Sequence, residues 1–139
     1  MSQLQPLPDV KVIDDLVVVR IEGSLSLVDS QHIYHQCELL LKERGYFLAL
    51  MDLGQAAVPS PESRKWITNW FRQRDLSRMA VATHGTSLLV RTVNRMFDGA
   101  VSVLSGRPTP ARHFSNEAEA RAWLAVRRQA LRESPPGEA

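Results

Sequence analysis

Cysteine is almost absent: Cys37 is the only one in 139 residues. An intrachain disulfide and any cysteine-cluster metal site are thereby excluded, and a reducing compartment is the simplest fit. Long apolar runs are missing as well, and no stretch approaches the ~20 residues that a membrane-spanning helix needs. The segment Met1 to Asp9 is polar and proline-containing with no apolar centre, so no signal peptide is expected. There is no Gly-x-Ser-x-Gly elbow to support a hydrolase triad. Aromatics make up 6% of the chain and are not interleaved with basic residues. Neither a zinc-finger pattern nor a basic tail is present, so nucleic acid is not an expected partner.

The residues that are present describe one ordinary domain. A 44% hydrophobic content supplies a core for a chain of this length. The net charge of +2 hides an asymmetry, with a balance of −4 over residues 1–59 and +6 over 60–139. Nearly all the later cations are arginine. Two readings are open: a solvated surface, or a basic face for an anionic partner such as a phosphate, a lipid head group or an acidic protein.

Hydropathy patterning orders the elements. Val10–Ile13 and Leu16–Glu22 are β-branched runs separated by Asp14 and Asp15, which suggests an antiparallel hairpin. Ser26, three residues before Asp29, marks a helix start, and Gly45 marks its end, giving a helix over about 27–44. Phe47–Leu53 lacks alternation, as a strand covered on both faces does. Ser60 followed by Pro61 opens a second helix, to about Arg74, with Trp66, Ile67, Trp70 and Phe71 along one stripe. Met79–Thr83 is another strand, ended by His84 and Gly85. Thr86 and Ser87 open a third helix, whose end is ambiguous because residues 100–104 also read as a strand. Ala111–Phe114 is a last strand. The final helix starts at Ser115-Asn116-Glu117 and buries Ala120, Trp123, Leu124 and Leu131. The order ββαβαβαβα predicts an α/β fold: a sheet of about five strands, mostly parallel, with an antiparallel N-terminal hairpin and four crossover helices. The expected division is a flexible N-terminus over 1–8, a single domain over 9–132 and a disordered tail over 133–139.

In this order the chain resembles the STAS superfamily, and within it the SpoIIAA-like set often grouped with CRAL-TRIO lipid-transfer domains. The resemblance rests on Phe47–Leu53 as central strand, on Ala80–Gly85 before an Arg-bearing helix, and on Arg112-His113-Phe114 followed by Glu117 to Leu124. It implies a scaffold for regulatory protein–protein contacts, sometimes with nucleotide or lipid binding. It also implies a phosphorylatable Ser, in an Asp-Ser-Ser-Gly motif, after the central strand. Here that region reads Pro59-Ser60-Pro61-Glu62-Ser63, the acceptor would fall at Pro61 or Glu62, and the motif is absent. Ser60 reads as a helix cap, with a phosphoacceptor role as the alternative.

The binding candidates follow from fold and chemistry. Asp52, Ser60 and His84, with Thr86 and Ser87, should gather at the carboxyl ends of the strands, where open parallel sheets bind ligands. Thr86 and Ser87 can present backbone N–H groups to an anion or simply cap a helix. Trp66 and Trp70 either pack on the sheet or form an exposed partner or membrane-surface patch. Arg91 and Arg95, one turn apart, could receive a phosphate or an acidic partner. His32 and His35 share a helix face near Cys37 but lack a third metal ligand, and Cys37 reads as a small core residue. No catalytic residue, metal or cofactor is expected. The leading reading is a non-enzymatic, cytoplasmic regulatory or adaptor domain that contacts a protein partner or a second copy. The second is a binder of lipid or an anionic small molecule, peripheral to the membrane. The weakest is a hydrolase-type enzyme at the strand-end cleft.

Overall fold

A computed structural model describes residues 9–85 and 111–133. Two short strands open the chain, β1 (Asp9–Ile13) and β2 (Leu16–Gly23), followed by helix α1 (Leu27–Arg44) and strand β3 (Phe47–Ala56). Helix α2 (Pro61–Arg72), a single 3-10 turn (Leu76–Arg78) and strand β4 (Met79–His84) come next, then β5 (Ala111–Phe114) and helix α3 (Glu117–Glu133). The sheet runs in the order β1-β2-β3-β4-β5. β1 and β2 are antiparallel, and every other neighbour pair is parallel. This is the predicted five-stranded mixed sheet, with Phe47–Leu53 in its centre. Three crossover or flanking helices belong to the described residues; the third of the four predicted helices, opened by Thr86 and Ser87, lies outside them, as does the ambiguous stretch 100–104.

Local chemistry sets the boundaries. The two-residue turn is made possible by Asp14 at φ 57, a left-handed conformation that Asp tolerates better than most residues. Ser26 caps α1 reciprocally: its Oγ accepts from the Asp29 N–H, and the Asp29 carboxylate accepts from the Ser26 N–H. Gly45, at φ 79, ends the helix in the left-handed region, and its N–H donates to the Leu41 carbonyl at 2.9 Å. α2 ends at Arg72, two residues before the predicted Arg74.

Alternation along the strands divides the core into two layers. Val17, Val19, Phe47, Ala49, Met51 and Val81 pack under α1 and α2, with Ile33, Cys37, Ile67, Trp70 and Phe71. Leu48, Leu50, Ala80 and Ala82 face the other way, onto Ala120, Leu124 and Leu131 of α3. Trp123, predicted on the same buried stripe, is half-buried and packs against Phe114, with ring centroids 5.6 Å apart. Burial on both faces explains why β3 is apolar without alternation.

α3 is anchored by charge at the end of the sheet where β2, β3 and β4 begin. Asp15 is fully buried. Its carboxylate accepts from Arg128 at 2.9 Å to each oxygen, from the Tyr46 hydroxyl at 2.9 Å and from Arg132 at 3.4 Å. Arg132 also donates to the Tyr46 oxygen at 3.1 Å. Arg78 donates to the carbonyls of Gly45 and Leu131. Burial by itself would raise the Asp15 pKa, but the hydrogen bonds from Arg128 and Tyr46 and the charges of Arg128 and Arg132 outweigh it. The carboxyl is held below the ordinary carboxylate range. The folded state thus binds this proton less tightly than the unfolded chain, so Asp15 stabilises the fold above an ordinary Asp pKa of ~3.9 and ceases to as pH falls through its folded value. Asp15→Ala, which strands Arg128, should cost about 3–5 kcal/mol in urea denaturation at neutral pH. Asp15→Asn should flatten the loss of stability that the unmodified chain shows below about pH 4.

Candidate functional site

The carboxyl ends of the parallel strands form one pole of the molecule, and the loops there are stitched together. The Ala57 N–H donates to the Gly23 carbonyl at 2.9 Å and the Ser60 N–H to the Leu25 carbonyl at 3.3 Å. The Ser24 hydroxyl donates to the Val58 carbonyl at 2.7 Å. These bonds tie the β3–α2 loop to the β2–α1 loop and so fix where α2 begins. Ser60 is the N-cap: its Oγ accepts from the Ser63 N–H at 3.1 Å, with Pro61 in the first turn. Ser63 is buried, and its hydroxyl hydrogen-bonds that of the equally buried Ser30 of α1, so two small side chains let the helices approach closely.

Asp52 and His84 are brought together. They are register partners on β3 and β4, in a row that runs from Asp9 through Arg20 to Phe114. The alternation that sends Leu50 and Ala82 towards α3 places both on that same face. His84 is 7% exposed, and its Nε2 lies 3.9 Å from a Glu117 carboxylate oxygen. Glu117 is shared with Arg121 at 2.8 Å. The Asp52 carboxylate accepts from the Gly54 N–H at 2.9 Å. Backbones crowd here: a Cβ on Gly54 would stand 3.1 Å from the Gly85 carbonyl oxygen. Gly85 itself has φ 69, which a side chain would strain.

Ser60 does not join this pair. α2 covers the opposite face of the sheet, so the expected cluster of Asp52, Ser60 and His84 shares an end but not a face. A hydroxyl nucleophile beside His84 is accordingly not formed by Ser60. Thr86, Ser87, Arg91 and Arg95 lie outside the described residues.

The aromatic stripe of α2 is divided by packing. Trp70 is buried, 4.8 Å from the Tyr34 ring and 6.0 Å from that of Phe47, with the Arg74 guanidinium 4.1 Å above it. Arg74 pairs with Glu38 at 2.6 Å. Trp66 is half-buried, 6.1 Å from Tyr34. Of the two readings of this stripe, packing on the sheet describes Trp70, which is a core residue because α2 must bury that stripe to cover the sheet; an exposed patch of both tryptophans is not formed.

A cavity of about 110 Å³ opens between this face of the sheet and α1 and α2. Its lining is mainly apolar, including Ile21, Met51, Ile67 and Phe71, with Arg64, Arg112 and the Thr83–His113 pair among its polar groups. Thr83 Oγ1 and His113 Nδ1 are 2.9 Å apart, and Arg64 donates to the Pro59 carbonyl at 3.1 Å. That Arg64, Thr83 and His113 line one cavity is not legible in the sequence. Only the β4–β5 register, which sets Thr83 beside His113, could have paired them.

His32 and His35 are exposed on α1, while Cys37 is buried, and burial pushes its thiol far above the usual range. Among the described residues, no three His, Cys, Asp or Glu side chains of one chain gather to hold a metal ion. No described helix is long and apolar enough to cross a membrane.

Comparison with known proteins agrees with this architecture. The sequence model of the SpoIIAA-like family matches residues 16–125, and the chain belongs to that family. The solved structure of the anti-sigma factor antagonist SpoIIAA in its unphosphorylated form is similar at a TM-score of 0.57 and 12% identity, covering 86% of this chain and 97% of that one. The NMR structure of the protein TM1081 is similar at 0.56 and 15% identity, covering 90% and 93%. At these identities the likeness is one of fold. No curated protein matches the sequence.

If Ser60 is a structural cap, Ser60→Ala should lower unfolding free energy by about 0.5–2 kcal/mol, whereas Ser60→Asp, which caps as well, should leave it nearly unchanged. Thermal or urea melts of both variants measure the difference.

Proposed function

We propose that this chain is a non-enzymatic, cytoplasmic adaptor that acts through protein contacts at the strand-end pole, without a phosphoswitch. One observation carries the reading. The start of α2, where the family resemblance places a regulatory serine, is here a fixed element. Ser60 Oγ is engaged with the Ser63 N–H, Pro61 holds the first turn, and the preceding loop is bonded to the β2–α1 loop. A rigid, capped helix start presents its outward side chains in one arrangement, which lowers the ordering cost of binding. Glu62 and Lys65 are the exposed charged residues of that first turn. Ser60, Asp52 and His84 support the pole rather than act on a substrate, and Thr86, Ser87, Arg91 and Arg95 are proposed as further contacts. Capture from the native host followed by mass spectrometry should recover a partner with the unmodified chain. Recovery should fall with Glu62→Lys combined with Lys65→Glu, and persist with Ser60→Ala. Stoichiometric phosphorylation of Ser60 in cells, with binding lost in Ser60→Ala, would overturn the reading.

A second reading is favoured by the cavity: an apolar hollow with Arg64 and Arg112 in its lining suits a small amphiphile with an anionic head, delivered at a membrane surface. Under it, binding to anionic vesicles should be weak and salt-sensitive, should fall when Arg91 and Arg95 are both changed to Glu, and should quench the half-buried Trp66. Equal binding by both proteins at low salt speaks against it.

A further inference from the structure

The outer face of α1 carries a pattern that neither the core nor the strand-end pole explains. Ser30, Ile33, Tyr34, Cys37 and Leu40 are its buried side. Diametrically opposite stand Val28, His32, His35 and Leu39, all exposed. At 3.6 residues per turn the four fall within about 30° of one line along the helix. Val28 and Leu39 are 66% and 46% exposed, two of the few large apolar side chains the described surface shows. Their spacing is symmetric. Val28 and Leu39, like His32 and His35, are equally distant from the midpoint between Ile33 and Tyr34. In an antiparallel pair of copies related by a two-fold axis, residues equally distant from the axis along the helix face each other, so this spacing sets Val28 against Leu39 and His32 against His35.

We infer that α1 is a homodimer interface, closed by a zinc-class divalent cation held by His32 and His35 of each of two copies. In an antiparallel pair of α1 helices, Val28 faces Leu39 of the second copy at both ends, and the two histidine pairs meet at the axis. His32 and His35 lie one turn apart, with Cβ atoms about 5–6 Å from each other, a spacing from which two imidazoles can reach one ion. One chain supplies only two ligands and the site is incomplete without the other; two chains supply four, the number that tetrahedral zinc takes. Imidazole is a preferred ligand of this metal class.

Charge complementarity favours a cation at this place. Residues 1–59 carry a balance of −4, and α1 itself carries Asp29 and Glu38 on the two flanks of the stripe. In each chain Asp29 is bonded to its cap and Glu38 to Arg74, yet two acidic halves still repel without a positive charge between them. Buried Cys37 takes no part.

The test uses the full chain with any affinity tag removed, because a polyhistidine tag would itself bind metal. Sedimentation equilibrium should show a monomer in EDTA and a dimer with zinc chloride, saturating at one zinc per two chains. His32→Ala with His35→Ala should abolish the zinc-dependent change in mass. Leu39→Asp, which leaves the ligands in place, should weaken the dimer by about tenfold, a difference of one decade in dissociation constant. Because all three positions are exposed, circular dichroism should show each variant folded. A chain that stays monomeric with excess zinc, binds one zinc per chain, or dimerises equally in EDTA overturns the inference. So does a double histidine variant that still dimerises with zinc.

Discussion

Asp15 sits in the turn between β1 and β2 with no exposure to water, and the arrangement of the second layer depends on how its charge is met. A carboxylate removed from water must be fully paired or the fold does not tolerate it. Arg128 supplies a two-pronged partner, Tyr46 a hydroxyl, and Arg132 bridges to both. Those partners come from opposite ends of the chain. The turn is local to the first hairpin, Tyr46 precedes the central strand, and the arginines lie near the end of α3. One buried charge therefore fixes the height and rotation of α3 across the sheet. Its apolar share of the contact rests on three buried side chains, Ala120, Leu124 and Leu131.

The polar clamp and the strand-end pole divide the molecule's labour. At the clamp, long side chains reach across elements and ionic pairing holds the layers. At the strand ends, short side chains and backbone groups do the holding: Ser24, Ser60 and the close approach of Gly54 to Gly85. A pole built from backbone contacts is rigid and leaves its longer charged residues pointing outward. That combination fits the proposed role in recognition. Asp52 and His84 share a face here, and Ser60 is on the other.

α1 illustrates a different constraint. A helix that packs on a sheet with one side usually carries polar residues on the other. This one places Ser30 inside and Val28 and Leu39 outside, so its two sides scarcely differ in hydrophobicity. The interior serine has a reason, since it meets Ser63 where α1 and α2 converge. The exterior apolar pair has no such partner among the described residues, and the proposed pairing of two copies would cover it.

Strand and helix positions were legible in the sequence, because they follow from contacts a few residues apart. Ser26 with Asp29, Gly45, and Ser60 with Pro61 mark boundaries that hydrogen bonds within one turn enforce. The uninterrupted apolar run of β3 announced a strand covered on both sides, and alternating strands and helices implied the mostly parallel sheet. Local pattern could not tell which side of α2 faces the core, so Trp66 and Trp70 stood open until Tyr34 and Phe47 closed over Trp70. It could not separate Ser60 from Asp52 and His84 either, since the choice of sheet face depends on where α2 crosses. The Thr83–His113 pair and the Asp15 clamp were invisible for the same reason. Residues thirty or more than a hundred positions apart become neighbours only when strand register and helix docking are set, and those are properties of the whole fold.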